Sequence, residues 1–354
     1  MRPKSISLVG LLAIVTLSAF SALAQKADLD FLNHNQPMLD AHNCYPYEGH
    51  WNDRIQRALN SGFPVSIEQD LAWHVDPATG KGRVVVSHTP HPTGQEPTLE
   101  DYFFKQVSPV VEKIIAENKR SQWPLIVLHF DFKDNQTALL EAVWNVLGQH
   151  EDWLSTALKT SDPAKLSPID RKPILVVTEE ADEQQKVFYD ALPVGARLRL
   201  FGSAHSHDTP GNMTKDQLMH WAVTVSPEEL LKEKPTNYRR WWNSSWYSVE
   251  EGGAPQAGDW TEADNKRLRS LVDHAHAMGY WVRFYALDGF APVEDQGWGM
   301  SYNFGSREAV VLRWKAAISA GVNFIPTNQY EALAPYLKQD AKELRPSASA
   351  PSSR

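Results

Sequence analysis

Residues 64–88 read PVSIEQDLAWHVDPATGKGRVVVSH, and the fold turns on them. Pro64–Asp70 alternates apolar and polar side chains and predicts a strand. Asp76–Gly82 (DPATGKG) is rich in Pro and Gly and predicts a turn, and Arg83–His88 (RVVVSH) is a second β-rich run. Together they predict a β-hairpin. The midpoint between Asp70 and His88 is Thr79, inside the turn, so a symmetric hairpin sets His88 opposite Asp70 on one face. Strand side chains alternate with period two, so Glu68 and Asp70 point the same way. Two carboxylates on one inward face repel each other and lose hydration. A cation between them, or buried basic partners, must compensate.

Working outward, short apolar runs alternate with amphipathic segments of helix length. Strands are predicted at Met38–His42, Pro64–Asp70, Leu125–Phe132, Pro173–Thr178, Leu198–Gly202, Trp221–Val225, Tyr280–Tyr285 and Val322–Thr327. Helices are predicted at Asn52–Ser61, Leu99–Asn118, Asn135–Leu147, Thr261–Met278 and Ser306–Ala320. Such alternation implies βαβ units and a parallel sheet. Eight strands over this length fit an α/β fold of the closed TIM (β/α)8 type, with the hairpin as an extension after strand 2. The first strand is not followed by a glycine-rich phosphate loop, which weighs against a dinucleotide fold.

The ends have their own signatures. Arg2 and Lys4 precede an apolar run from Ile6 to Phe20, and Ala22-Leu23-Ala24 supplies a small-x-small cleavage pattern. Residues 1–24 are therefore expected to be a signal peptide. The mature chain is expected to start at Gln25 and to be secreted or periplasmic. Residues 25–343 are expected to form one barrel domain. Residues 344–354 (LRPSASAPSSR) have the composition of a disordered tail. The formal net charge of the 354-residue chain is −8, without a basic block, which argues against nucleic acid as a partner. The single cysteine, Cys44, excludes an internal disulfide.

Candidate chemistry sits at the C-terminal ends of the predicted strands, where barrel enzymes place their catalytic groups. The first strand ends in Leu39-Asp40-Ala41-His42-Asn43 and the second in Glu68-Gln69-Asp70. In Leu128–Lys133 (LHFDFK), His129, Asp131 and Lys133 share one face and apolar residues the other. Glu68, Asp70 and Asp131 are candidate ligands of one divalent cation, and an all-oxygen set suits Mg²⁺ or Ca²⁺ better than Zn²⁺. A buried Asp–Lys pair is the competing reading of Asp131 and Lys133. Otherwise Lys133 is placed to neutralise an anionic oxygen.

These pieces resemble the glycerophosphodiester phosphodiesterase and sphingomyelinase D branch of the barrel phosphodiesterases, related to phosphatidylinositol-specific phospholipase C. The resemblance rests on His42-Asn43, Glu68-x-Asp70, VVVSH ending at His88, Asp131-x-Lys133, the strand Val282–Asp288 (VRFYALD) and the closing strand Ala320–Asn328 (AGVNFIPTN). It implies His42 and His88 as general acid and base, a cation held by Glu68, Asp70 and Asp131, and Lys133 on the phosphate. The implied substrate is a small phosphodiester or a phospholipid headgroup, with transient contact to a membrane surface. Histidine suits both proton transfers near neutral pH, and a metal offsets phosphate charge. Asn43 departs from the family's usual Arg, which leaves the phosphate charge to another group such as Arg283. Asn43 is alternatively a ligand through its amide oxygen. Tyr285 stands where the family has Trp, as a substrate-binding aromatic, and Asn328 where Asp is common.

Three alternatives stay open. One is a phospholipase C-like lyase or sphingomyelinase D-like transferase that forms a cyclic phosphate. Another is a non-catalytic barrel that binds a glycan or lipid. The third, a zinc amidohydrolase, is disfavoured because the first strand has no His-x-His pair. Tyr238–Tyr247 (YRRWWNSSWY) reads as a lid, a headgroup clamp, an interfacial anchor or a segment packed on the barrel.

Overall fold

In a computed structural model, the described residues are 32, 36–47, 52–206, 211, 213–291 and 302–343. The predicted signal peptide, Gln25 and the predicted tail lie outside them. Eight parallel strands close into a TIM-type barrel: β1 (Met38–Ala41), β2 (Val65–Val75), β4 (Ile126–Phe132), β5 (Ile174–Thr178), β6 (Phe201–Ser203), β7 (Arg239–Ser245), β8 (Trp281–Tyr285) and β9 (Phe324–Thr327). Closure comes from β1, which pairs with β9 on one side and β2 on the other. Helices cover the outside, among them α1 (Arg54–Ser61), α2 (Lys105–Glu117), α3 (Thr137–Gln149), α4 (Lys215–Thr224), α5 (Glu262–Met278), α6 (Arg307–Ala320) and α7 (Tyr330–Glu343). A separate three-stranded antiparallel sheet is built from Thr156–Leu158, Ile169–Asp170 and Arg197–Leu198.

The hairpin exists, with one correction. β2 runs past the barrel mouth, and its last residues pair antiparallel with β3 (Gly82–Val86). Leu71 faces Val86, and the Ser87 amide donates to the Asp70 carbonyl at 2.9 Å. Asp70 therefore lies opposite Ser87, and the predicted His88–Asp70 register is wrong by one residue. The turn is asymmetric, Val75 pairing with Gly82, which a midpoint count misses.

Two predicted strands are also corrected. The segment predicted as the strand Trp221–Val225 is instead the last turn of α4 and its C-cap Val225, and the helix starts at a capping box formed by Thr214 and Gln217. The sixth barrel strand is Arg239–Ser245, inside the segment read as a lid or clamp. It carries Arg and Trp on both faces, so it lacks the apolar alternation that marks a strand in sequence. The fifth strand begins later than predicted: Leu198 belongs to the small sheet and Phe201 to the barrel.

Barrel interiors are usually filled with branched apolar residues. Here the lower interior is apolar, with Trp241 packed edge-on to Phe324 at 5.7 Å. The upper layers are polar: Asp40, Ser66, Glu68, His129, Asn243 and Arg283 are all buried. Most of their polar atoms are satisfied within the layer or, for His129 Nε2, by Glu179 at 2.8 Å. Arg283 donates to Asp40, to Glu68 at 3.0 Å and to Asn243 at 3.1 Å, and Ser66 donates to Asp40 at 2.6 Å.

Candidate functional site

The site lies at the C-terminal ends of β1, β2 and β4, with His88 brought in by the hairpin. Parallel register aligns Glu68 with His129 and Asp70 with Asp131 across β2 and β4. Oxygens of Glu68, Asp70 and Asp131 lie within 4.8 Å of one another. Asp70 Oδ1 is buried and has no hydrogen-bond partner among the described residues. A buried carboxylate oxygen without a partner, in a cluster of three carboxylates, is a costly arrangement that a bound hard cation would relieve. The donor set therefore fits Mg²⁺ or Ca²⁺.

Basic groups already crowd this cluster. Lys133 Nζ lies 2.6 Å from Asp70 Oδ2 and 2.8 Å from Asp131 Oδ2. The Asp–Lys pair read from the sequence is thus present and extends to Asp70, so a metal ion would share Asp70 with the ammonium. Burial opposes ionisation of Asp131, but Lys133 beside it outweighs this and holds its carboxyl below the usual range. Burial pushes the Glu68 carboxyl up to about 7, against the pull of Arg283 and His129. Arg283 itself is only 2% exposed and sits beneath the cluster, so it neutralises Asp40 and Glu68 from below rather than opening onto the mouth.

Both predicted histidines reach the cluster. His42 Nε2 lies 3.7 Å from Glu68 Oε2, and His88 Nδ1 lies 2.9 Å from Asp70 Oδ2 despite the shifted register. His42 is buried, whereas the His88 ring is 43% exposed. Burial, and then the positive charges of Arg283, Lys133 and Arg54, hold the His42 imidazole well below its ordinary pKa. Asn43 has a left-handed backbone (φ 52), a conformation Asn tolerates. That twist aims its amide at Glu68 Oε2, 2.7 Å away, and its side-chain nitrogen at His42 Nδ1, 3.0 Å away. Its Oδ1 accepts from the Tyr45 hydroxyl at 2.6 Å.

Tyr285 is near but not in contact with the histidines. It packs edge-on to Tyr302 at 6.2 Å, and Tyr302 packs edge-on to His42 at 5.5 Å, so an aromatic wall flanks His42. Burial raises the Tyr285 phenol to about 12, which keeps it neutral. Cys44 is fully buried in the core, and that burial raises its thiol to about 12. His205, in the loop after β6, is engaged by Glu233 and Asp182, while His207 and Asp208 lie outside the described residues.

Sequence reasoning missed Tyr45, whose hydroxyl joins Asp70, Asn43 and His88. It also missed Arg54, which ties the His42 and Asn43 carbonyls at 3.2 and 3.0 Å to Asn328 Oδ1 at 2.9 Å. Asp288 completes this layer by accepting from Thr327 and from the backbone and side chain of Asn328. For Tyr45 the available signal was its closeness to His42 in sequence; Asn328, already singled out after the closing strand, is the residue that Arg54 and Asp288 hold.

No protein-family model matches the chain, and no curated protein matches it. Among solved structures it is similar to a triple mutant of Plasmodium falciparum HPPK-DHPS, with a TM-score of 0.42 and 9% identity, covering 88% of this chain and 48% of that one. The chain thus spans about half the length of that protein. It is also similar to a family 5 xyloglucanase from Paenibacillus pabuli, with a TM-score of 0.35 and 9% identity, covering 87% of this chain and 99% of that one.

Proposed function

We propose that the protein is an exported, metal-dependent phosphodiesterase that hydrolyses a glycerophosphodiester or a phospholipid headgroup, resembling the glycerophosphodiesterase and sphingomyelinase D branch. One observation carries the reading: three carboxylates with oxygens within 4.8 Å of one another, contacted by two imidazoles from different elements. Phosphodiester cleavage needs charge compensation, a deprotonated nucleophile and a stabilised leaving group. A bound Mg²⁺ or Ca²⁺ would offset the diester's negative charge and orient it. Lys133, already beside Asp70 and Asp131, would pair with a phosphoryl oxygen. His42 and His88 supply the proton-handling groups on either side of the carboxylates. Tyr285 and Tyr302 would wall the mouth against the alcohol or acyl portion of the substrate.

The test is a phosphodiester panel, including phospholipid vesicles, assayed with and without chelator and followed by phosphorus NMR. Turnover that is lost with chelator and restored by Mg²⁺ or Ca²⁺ supports the reading. A cyclic phosphate product would move the enzyme to the lyase or transferase class. Absence of turnover across the panel would leave a binding barrel.

A further inference from the structure

Arg283 is aimed by a chain of hydrogen bonds that leads away from the carboxylate cluster. Its guanidinium donates through Nη2 to Glu68 Oε1 at 3.0 Å, through Nη1 to Asn243 Oδ1 at 3.1 Å and through Nε to Asp40. Arginine carries donors and no acceptor, so the Asn243 amide turns its oxygen toward Arg283 and its nitrogen away. That nitrogen donates to Glu179 Oε2 at 2.8 Å. Donor and acceptor chemistry thus sets one order, Glu179–Asn243–Arg283–Glu68.

The barrel holds each member of this chain. Asn243 and Arg283 are register partners on β7 and β8. The Asn243 amide N–H donates to Ser203 Oγ on β6 at 3.0 Å. Glu179 directly follows β5, and its second oxygen lies 2.8 Å from His129 Nε2. Arg283 is buried, whereas the Glu179 side chain is 26% exposed at the rim. Glu68 is therefore gripped from two sides: the Asn43 amide holds Oε2 at 2.7 Å, and Arg283 holds Oε1 with a single N–H group. Occupation of Nη1 by Asn243 keeps Arg283 from closing a two-pronged pair on Glu68, the strongest arrangement open to Arg and a carboxylate. Such a pair would compete with a cation for the same two oxygens.

We propose that Glu179 is a positioning residue for cation binding: acting through Asn243 and Arg283, it holds Glu68 free to share an ion with Asp70 and Asp131. This deepens the metal-dependent reading of the site and rests on it. Partners of a metal ligand typically contribute about 10–100-fold to affinity. Glu179 does so from the end of β5, across the barrel from the strand that carries Glu68.

Titration calorimetry of the whole protein with Mg²⁺ and with Ca²⁺ tests this. Glu179→Ala should raise the cation Kd ~10–100-fold. Asn243→Leu keeps the bulk, removes both side-chain hydrogen bonds and should raise Kd by a similar factor. Adding Glu179→Ala to Asn243→Leu should then change Kd by less than ~2-fold, because the two act in series. Thr261→Ala, which loosens the cap of the outer helix α5, should lower the urea midpoint and leave Kd unchanged. The positioning role is overturned by a Glu179→Ala protein that binds as tightly as wild type. It is equally overturned by additive effects in the double variant, or by a Thr261→Ala protein that loses as much affinity as Glu179→Ala. Wild-type protein that binds neither ion would instead overturn the metal-dependent reading, and the positioning role with it.

Discussion

Burial lifts the Glu68 carboxyl from its ordinary 4.5 to about 7, even though Arg283 donates to it. A raised pKa means that the folded state holds the proton more tightly than the unfolded chain does. The resulting stability is fully present below pH ~4.5 and is lost as pH rises through ~7. In metal-free protein, urea midpoints followed from pH 4.5 to 7 should decline more steeply for wild type than for Glu68→Gln; parallel curves would mean that Glu68 is already ionised. Cation affinity should rise over the same window, because the ligand must deprotonate. Arg283 is the counterpart of this tension. Arg283→Met leaves Asp40 and Glu68 buried without their cation and should cost ~3–5 kcal/mol in chemical denaturation. That Glu68, Asp70, Asp131 and both histidines meet at one place was legible in sequence, since strand alternation and position announce it. The hydrogen bonds around His42 were not, because they come partly from Asn328, which is 286 residues away and is tied to Arg54.

Strands rich in Val, Ile and Leu were easy to find, as Leu125–Phe132 and Pro173–Thr178 illustrate. Arg239–Ser245 was not, because its place in the barrel depends on partners distant in sequence. The Trp241 indole donates to the Thr178 carbonyl at 2.8 Å, and its ring meets His129 at 5.0 Å. Trp241→Ala would leave a cavity under the polar layer and should destabilise the protein by ~3–5 kcal/mol. A change below ~1 kcal/mol would contradict the buried placement. Helix α5 was predicted nearly to the residue because both its ends are written in sequence. Thr261 and Asp264 form a capping box, and Gly279 ends the helix in the left-handed region at φ 100. Thr261→Ala should cost ~1 kcal/mol, read from the same denaturation curves.

Closure of the barrel gathers a site from residues as far apart as His42 and Asn328, so ligand binding and global stability are linked. A cation that binds only the folded state at 100 times its Kd adds ~2.7 kcal/mol, so Mg²⁺ or Ca²⁺ should raise the melting temperature in a concentration-dependent way. Asp70→Asn should abolish that rise. Among the described residues, no helix is long and apolar enough to cross a membrane. N-terminal sequencing of protein recovered from an exporting host should find Gln25 at the start, and an intact Met1 would defeat export. The hairpin has a different consequence. His42 follows β1, a strand paired on both sides within the closed ring, whereas among the described residues β3, ahead of His88, pairs along its length with β2 alone and is otherwise tied by a single bridge from Val85 to Thr98. Local opening can therefore peel the hairpin away while the ring stays shut. Amide hydrogens of Val84–Val86 should exchange with solvent faster than those of Met38–Ala41. At intermediate urea, a fraction of molecules should hold an intact barrel in which one imidazole is in place and the other has swung into water.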